Sequence, residues 1–317
     1  MIELAAPSPR ANEILIEVHA CGMGYVDALV ALGAYQVKPP TPYTPGLEIS
    51  GVVTGLGAEV RRLKVGDRVM ASAFGGGLAE YAVAPEASSW RIPDSMTFGE
   101  AAGFRTNYIT ALHGLKDRAA IEPDECLLVF GASGGVGIAA VQIGALLGAT
   151  IVAAASTEEK RAFATTHGAH HVIDVNPDGW RDRLKVICNG VGPNVIFDPV
   201  CGPLFETAFR SQAWRGRHLV VGFAGGPIPK LPVNLTLMKG ASLVGVDVRQ
   251  FSLFERDRAD THMAQLLEWA EQRLLIPPVG RRFPLANFSE AMKFAMSGKG
   301  MGKTIVDVSD RSTTTQS

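Results

Sequence analysis

The chain has 317 residues, which at roughly 100 to 200 residues per domain predicts about two domains. Its 30 Lys and Arg residues nearly balance 31 Asp and Glu residues, so the bulk charge does not favour nucleic acid as a partner. Hydrophobic residues make up 47% and charged residues 19%, a composition that excludes an intrinsically disordered chain.

The first third of the chain is predicted to be rich in β-structure. Runs of β-forming residues at 14–20, 48–56 and 67–71 are separated by Gly and Pro clusters. Such spacing is typical of a compact β-domain.

From about Thr106, apolar strands alternate with helix-like intervals. This alternation predicts a parallel sheet wrapped by helices. We expect its strands at residues 127–130, 151–155, 171–173, 195–197, 218–221 and 242–246. An amphipathic helix at 259–273 and a short segment ending in 303–308 follow the sheet.

Cysteine usage and the first residues indicate the compartment. The four cysteines are scattered without a CxxC pair, and a chain of this size needs no disulfides. Residues 1–12 lack the basic and apolar regions of a secretory signal. Residues 126–157 carry no charge, but their glycines and Gln142 favour a strand, a turn and a helix over a membrane span. We therefore expect a cytoplasmic protein without a membrane segment.

The segment LLVFGASGGVG at 127–137 runs from an apolar strand into glycines and then into a helix-like stretch. Glycines at such a turn let a pyrophosphate approach the N–H groups at the start of the helix. The pattern departs from GxGxxG because Ala132 stands at the first glycine position. We predict a dinucleotide site, with a turn that binds nothing and a methyl-donor site as alternatives. Its phosphate-binding residues are Gly134, Gly135, Val136 and Gly137.

The end of the second strand of this sheet discriminates between cofactors. An acidic residue there would bind a ribose 2′-hydroxyl and repel a 2′-phosphate. This chain has Ser156 instead, followed by Lys160 and Arg161. Glu158 and Glu159 fit the acidic first turn of the next helix. The pattern favours NADPH over NADH, while Lys160 as a solvated helix residue remains the alternative.

Several further segments form an ordered set along the chain. They are CGMGYVD at 21–27, PYTPGLEISGVV at 42–53, VGDRV at 65–69, AEYAV at 79–83, NYITALHGL at 107–115, FDPVCG at 197–202 and GRHLVVGFAGG at 216–226. Together they resemble the medium-chain dehydrogenase/reductase superfamily, in its zinc-independent quinone oxidoreductase, or zeta-crystallin, branch. The likeness spans residues 11–308.

The resemblance implies an α/β protein with a GroES-like β-rich catalytic domain and a Rossmann doubly wound parallel sheet. Residues 1–105 would begin the catalytic domain, shortened at its start compared with relatives. Residues 106–250 would form the NADP-binding domain, and 251–317 would return to the catalytic domain. Relatives are usually dimers joined at the last Rossmann strand, here residues 242–248, so a homodimer is expected.

The resemblance also allows the catalytic metal site of zinc-dependent relatives to be checked. The three ligand positions correspond to Gly24, Leu47 and about Thr106. None supplies the thiolate, imidazole or carboxylate that catalytic zinc requires. We therefore expect no metal site.

Hydride transfer without a metal needs an electron-poor conjugated acceptor and a hydrogen-bond donor for the developing oxyanion. A quinone is an acceptor of this kind, so a quinone reductase is the first prediction. Reduction of α,β-unsaturated carbonyls (enones, 2-alkenals or enoyl thioesters) is the alternative enzyme activity. A crystallin-like protein that binds NADPH without catalysis is the alternative outside the enzymes. By the resemblance Tyr35 is the best candidate donor, with Tyr25 and Tyr43 weaker. The same resemblance assigns further cofactor contacts to Thr110, Phe223 and Ala224.

Overall fold

The computed structural model describes residues 2–309, which divide into two units. The first contains residues 2–105 and 267–309, and the second is Thr106–Leu266. The second unit therefore extends beyond the predicted end at residue 250. The reason is long-range packing: Phe251 stacks on His113 with ring centroids 3.9 Å apart, and His262 lies 2.8 Å from Asp117.

The strands and helices alternate along most of the chain. The strands are β1 (Glu13–Met23), β2 (Glu48–Leu56), β3 (Arg68–Ser72), β4 (Tyr81–Pro85), β5 (Ser89–Arg91), β6 (Cys126–Phe130), β7 (Thr150–Ala154), β8 (His171–Ile173), β9 (Val195–Asp198), β10 (Arg217–Val220), β11 (Ser242–Gly245), β12 (Val279–Pro284) and β13 (Lys303–Asp307). The α-helices are α1 (Tyr25–Ala31), α2 (Phe98–Ala102), α3 (Arg105–Leu112), α4 (Gly135–Leu146), α5 (Glu158–Thr166), α6 (Trp180–Ile187), α7 (Phe205–Ser211), α8 (Asn234–Lys239), α9 (Val248–Phe254), α10 (Arg256–Glu271) and α11 (Phe288–Met296). Within residues 2–309, no helix is both long and apolar enough to cross a bilayer.

The first unit is built on a seven-stranded sheet in the order β12-β13-β1-β2-β3-β5, with β4 also paired to β1. Alternate residues of β1 point inward, so Ile14, Ile16 and Val18 are fully buried in its core. The strand β13 lies between β12 and β1. Lys303, the first residue of β13, is accordingly buried.

The second unit is built on a six-stranded sheet in the order β11-β10-β9-β6-β7-β8, and every pair is parallel. Leu128, Val152 and Ile196, from three neighbouring strands, belong to one buried core cluster. The predicted strands of this sheet agree with the observed ones to within one residue at each end. The α/β fold class, with a GroES-like domain and a Rossmann-like sheet, is confirmed. The chain order reverses at β6, where a doubly wound sheet binds its ligands.

Candidate active site

The turn between β6 and α4 exposes backbone donors in the way that a phosphate site requires. Gly131 follows β6 with φ +56°, and the N–H of Gly134 donates to its carbonyl at 2.9 Å. Ile138 is the first residue whose N–H bonds back into the helix, to the Gly134 carbonyl at 2.8 Å. Three N–H groups before it have no protein acceptor among residues 2–309, and the first turn contains no acidic side chain. These open donors belong to Gly135, Val136 and Gly137. The helix start therefore attracts an anion.

Close contacts leave little space for side chains at two glycines of this turn, next to a backbone carbonyl at Gly137 and next to a side chain at Gly135. A Cβ on Gly137 would lie 2.2 Å from the Gly131 carbonyl oxygen, which no side chain tolerates. A Cβ on Gly135 would lie 2.8 Å from Nδ2 of Asn107. Glycine at positions 135 and 137 keeps the turn tight and its N–H groups accessible. The residues present therefore fit a dinucleotide pyrophosphate.

The loops after β9 and β10 lie against each other at the same end of the sheet. The N–H of Ala224 donates to the Pro199 carbonyl at 3.2 Å, and a Cβ on Gly131 would lie 3.1 Å from the Val200 side chain. Asp198 shapes the first loop, since its Oδ1 accepts the Val200 N–H at 2.9 Å and its Oδ2 lies 3.1 Å from buried His218. Phe223 and Ala224 are both exposed in the second loop. The candidate nicotinamide wall thus stands beside the glycine turn.

The end of β7 carries a neutral and a basic side chain. Ser156 is exposed, and Thr157 caps α5 by accepting the Lys160 N–H at 3.3 Å. Glu158 and Glu159 lie in the first turn of α5. Lys160 is half-buried, and burial lowers the pKa of its ammonium group. The Arg161 guanidinium donates to the Ala155 carbonyl at 3.1 Å.

Helix α3 approaches the glycine turn through Asn107, and Thr110 is buried one turn further along it. A π-helical stretch, His113–Arg118, continues α3. Within it, Oδ2 of Asp117 lies 2.8 Å from Nδ1 of His113 and 2.8 Å from Nε2 of His262 on α10. This bridge ties the π-helical stretch to α10. Because both rings are buried, the carboxylate is their main polar partner.

Removal of the carboxylate is expected to destabilise the second unit. Asp117→Ala leaves two buried ring N–H groups without an acceptor, which costs about 1–3 kcal/mol of unfolding free energy. Urea unfolding at neutral pH measures this loss, with the exposed Asp257→Ala on α10 as the matched control. A loss no larger than that of the control would contradict the bridge.

The same bridge predicts a pH dependence in the unaltered protein. Burial lowers the pKa of His113 despite the neighbouring Asp117, so the unfolded chain takes up a proton on this ring at a higher pH than the folded chain does. Burial alone would raise the pKa of Asp117, but its hydrogen bonds to the two histidines lower it overall. Both shifts make the folded state bind fewer protons than the unfolded state. Stability is therefore expected to fall as the pH drops below about 6.5.

The candidate tyrosines all belong to the first unit. Tyr25 is the first residue of α1 and is 37% exposed, and Tyr35 is half-buried in the bend that follows α1. Neither hydroxyl has a hydrogen-bond partner within residues 2–309. Tyr43 packs over Gly75, and burial, reinforced by Asp27, raises the pKa of its phenol.

The first unit also contains a buried charged cluster formed by Lys303, Glu48 and Asp27. Nζ of Lys303 lies 2.6 Å from Oε2 of Glu48, and both side chains are almost fully buried. Burial alone would lower the pKa of Lys303, but Glu48 and Asp27 raise it overall. Burial raises the pKa of Asp27, which accepts the N–H groups of Gly24 at 2.8 Å and Leu47 at 3.0 Å. Glu48 thus pairs with Lys303 in the interior of this unit.

The two zinc-ligand positions in this unit surround the same cluster. A Cβ on Gly24 would lie 3.5 Å from Nζ of Lys303 and 3.5 Å from Oδ2 of Asp27, so a cationic ammonium group stands next to the position of the missing ligand. The Leu47 side chain offers no donor atom. In the described part of the chain, no group of three or more His, Cys, Asp or Glu residues could hold a metal ion.

Comparisons with known proteins agree with this geometry. Residues 10–94 match the family described as the alcohol dehydrogenase GroES-like domain, and residues 135–269 match the family described as zinc-binding dehydrogenase. Quinone oxidoreductase-like protein 2 of Rattus norvegicus is 35% identical over 97% of this chain and 88% of its own length. The chain belongs to the medium-chain dehydrogenase/reductase superfamily, in its quinone oxidoreductase-like branch.

Two solved structures extend the comparison. The quinone oxidoreductase of Thermus thermophilus, solved also in complex with NADPH, is 30% identical with a TM-score of 0.85, covering 97% of this chain and 95% of its own. The CurK enoyl reductase is 25% identical with a TM-score of 0.86, covering 96% of this chain and 93% of its own. The branch is one of oxidoreductases, and the missing zinc ligands set this member apart from the zinc-binding description of its second family match.

Sequence reasoning missed three contributors to the site. Asn107 lies within the NYITALHGL segment and Asp198 within FDPVCG. These motifs therefore marked both residues, but the sequence did not show what they contact. The Lys303–Glu48 pair had no local signal, because its members are 255 positions apart. The structure gathers the predicted phosphate, ribose and nicotinamide-wall residues at one end of the second unit's sheet, while Tyr25 and Tyr35 belong to the first unit.

Proposed function

We propose that this chain is an NADPH-dependent, metal-free oxidoreductase whose acceptor is a quinone. The observation that carries the proposal is the glycine turn, with three open N–H groups at the start of α4 and no carboxylate beside them. The NADPH complex of the Thermus thermophilus relative supports the same cofactor. The bound nicotinamide would supply the hydride.

The protein's own residues would bind the cofactor, orient its nicotinamide ring and donate a hydrogen bond to the acceptor. The open N–H groups of α4 would hold the pyrophosphate, and Lys160 with Ser156 would bind the 2′-phosphate. Thr110 and the Phe223–Ala224 segment would orient the nicotinamide ring. Tyr35 would donate a hydrogen bond to the acceptor oxygen as it gains charge, with Tyr25 as the weaker candidate. No group of tuned acidity is required, because a quinone is already electron-poor.

The ribose assignment predicts a cofactor-specific effect. Lys160→Ala is expected to weaken NADPH binding about tenfold or more, because a hydrogen bond to a charged group contributes roughly 1.5–3 kcal/mol. NADH binding should change little, since NADH has no 2′-phosphate. Calorimetric titration with both cofactors measures this, and the exposed Lys185→Ala on α6 is the control for loss of a surface charge. Equal losses for both cofactors would contradict the assignment.

Reduction of enones or enoyl thioesters is the second candidate activity, and the similarity to an enoyl reductase supports it. Consumption of NADPH, followed by its absorbance, should be compared between a benzoquinone, a 2-alkenal and an enoyl thioester. Turnover with the quinone alone supports the first proposal, and turnover with the other two alone supports the second. Tight NADPH binding without turnover on any acceptor would identify a non-catalytic, crystallin-like protein.

We also propose that the protein is a homodimer joined at β11. This strand forms one edge of the second unit's sheet, and Leu243 on it is 44% exposed. The nearby helix α8 exposes Leu237 at 84% and Met238 at 69%. Edge strands and apolar surface of this kind need a partner. Sedimentation should give two chains per particle, and Leu237→Glu should shift the protein toward monomer. A wild-type monomer at micromolar concentration would contradict the proposal.

A further inference from the structure

Two cysteines of the second unit lie in contact away from the candidate active site. Sγ of Cys126, at the start of β6, is 3.4 Å from Sγ of Cys188, the residue that caps the end of α6. A disulfide bond is about 2.05 Å long, so a small approach of the two sulfur atoms is enough to form one. We propose that Cys126 and Cys188 are a reversible redox site, which hydroperoxides oxidise to an intramolecular disulfide.

The sheet holds the backbone of Cys126, whereas the backbone of Cys188 bonds to the Leu184 carbonyl in α6 and to the Val191 N–H in the turn that follows. Asn194 fixes Cys126 on both sides, since its side chain accepts the Cys126 N–H at 2.9 Å and its own N–H donates to the Cys126 carbonyl at 2.8 Å. Cys188 instead precedes a surface turn in which Asn189 and Gly190 have φ values of 51° and 86°. Only the end of a helix and an exposed turn must adjust for the sulfur atoms to meet.

The pair is reachable by a small oxidant. Cys126 is half-buried and Cys188 is 8% exposed, but the residues after Cys188 are exposed, with Val191 at 68%. Hydrogen peroxide is little larger than a water molecule, so it can pass a surface turn of this kind.

The surroundings of the pair also assign different roles to the two sulfur atoms. Cys188 adjoins the exposed turn at Asn189 and Gly190, so it is the nucleophile toward peroxide. The contact with Cys126 lowers the pKa of the Cys188 thiol, in agreement with this role. Cys126 is held in β6 by Asn194 and is the resolving thiol.

The proposed chemistry balances with one peroxide per disulfide. The Cys188 thiolate attacks one peroxide oxygen, the O–O bond breaks, and Cys188 becomes a sulfenic acid while hydroxide leaves. The Cys126 sulfur then attacks the Cys188 sulfur, forming the S–S bond and expelling the hydroxyl group. With the thiol protons, the two oxygen atoms of the peroxide become two water molecules. A small thiol reductant reverses the reaction by exchange.

The other two cysteines provide an internal contrast. Burial, together with Asp198, raises the pKa of Cys201 to about 12. Burial and Asp27 raise the pKa of Cys21, whose thiol donates to the thioether of Met23 at 3.9 Å. Neither has a thiol partner within residues 2–309, so oxidation should be confined to Cys126 and Cys188.

The test is a peroxide titration of the purified full chain, with each cysteine quantified by alkylation and peptide mass spectrometry. Neither NADPH nor a quinone is added, so the result does not depend on the proposed function. The wild type is expected to lose two thiols per chain, to yield a peptide cross-linked between Cys126 and Cys188, and to recover both thiols with dithiothreitol. The Cys201→Ser variant should behave in the same way.

Two isosteric variants separate the roles of the sulfur atoms. In Cys126→Ser, Cys188 should accumulate as a sulfenic acid that a dimedone probe traps, whereas in Cys188→Ser, Cys126 should stay reduced. Circular dichroism checks that each variant is folded. Equal oxidation of all four cysteines, disulfides between chains, or wild-type thiols that survive excess peroxide would each overturn the proposal.

Discussion

Replacement of Gly137 with alanine is expected to weaken NADPH binding about 100-fold or more. The new Cβ would lie 2.2 Å from the Gly131 carbonyl oxygen and 3.0 Å from Cα of Ala132, so the backbone of the turn has to move. That movement redirects the N–H groups at the start of α4. Each hydrogen bond to a charged phosphate contributes roughly 1.5–3 kcal/mol, so the loss of two is enough for the stated effect. Calorimetric titration of the variant with NADPH measures it.

A control separates this steric effect from a general effect of alanine. Gly245 on β11 belongs to the same sheet, and a Cβ there meets no atom within 4 Å. Gly245→Ala should bind NADPH as the wild type does. If Gly137→Ala keeps its fold, as judged by circular dichroism, and still binds NADPH within threefold of the wild type, the phosphate turn has been misassigned.

The second large effect is expected in the first unit, at the buried pair of Lys303 and Glu48. Lys303→Met should lower the free energy of unfolding by about 3–5 kcal/mol, because it leaves a buried carboxylate without its counter-charge. The methionine fills nearly the same space as the lysine stem. That stem has little freedom, since a Cβ on Gly22 would lie 2.9 Å from its Cε atom. Chemical denaturation at neutral pH gives the value.

Two further variants complete the comparison. The double variant Glu48→Gln/Lys303→Met removes both charges, so much of the lost stability should return. Lys299→Met removes an exposed lysine from the turn after α11 and should change stability by less than about 0.5 kcal/mol. A single variant as stable as the Lys299 control would show that the pair does not stabilise this sheet.

Local signals predicted the second unit well. Its central strands β6, β7 and β9 consist mainly of buried apolar residues, and the glycine turn follows β6 directly. A parallel sheet that helices cover on both faces favours this pattern in its central strands. The fold class and the family therefore followed from residues close together in sequence.

The first unit was harder to predict because its pairings are long-range. The strands β4, β5 and β12 contain few residues and lie among prolines and charged side chains, so no periodic pattern marks them. The position of β13 inside the sheet depends on its pairing with β1 across almost the whole chain. A single lysine at the start of such a strand gives no sign in the sequence that it is buried.

The candidate site likewise contains residues that local sequence signals predicted and residues that only tertiary packing reveals. The glycine turn and the Ser156–Lys160 segment were predicted because cofactor contacts of this kind follow strand ends at fixed intervals. The support from Asn107 was not predicted, since it depends on how α3 packs against a helix start. The extent of the second unit to Leu266 was not predicted, because only tertiary contacts show that α9 and the start of α10 pack on it.

The most direct test of the central claim is a calorimetric titration of the purified chain with NADPH and, in parallel, with NADH. We predict saturable binding of one NADPH per chain, with an affinity at least tenfold higher than that for NADH. Failure to bind NADPH and its oxidised form at millimolar concentration would contradict the account.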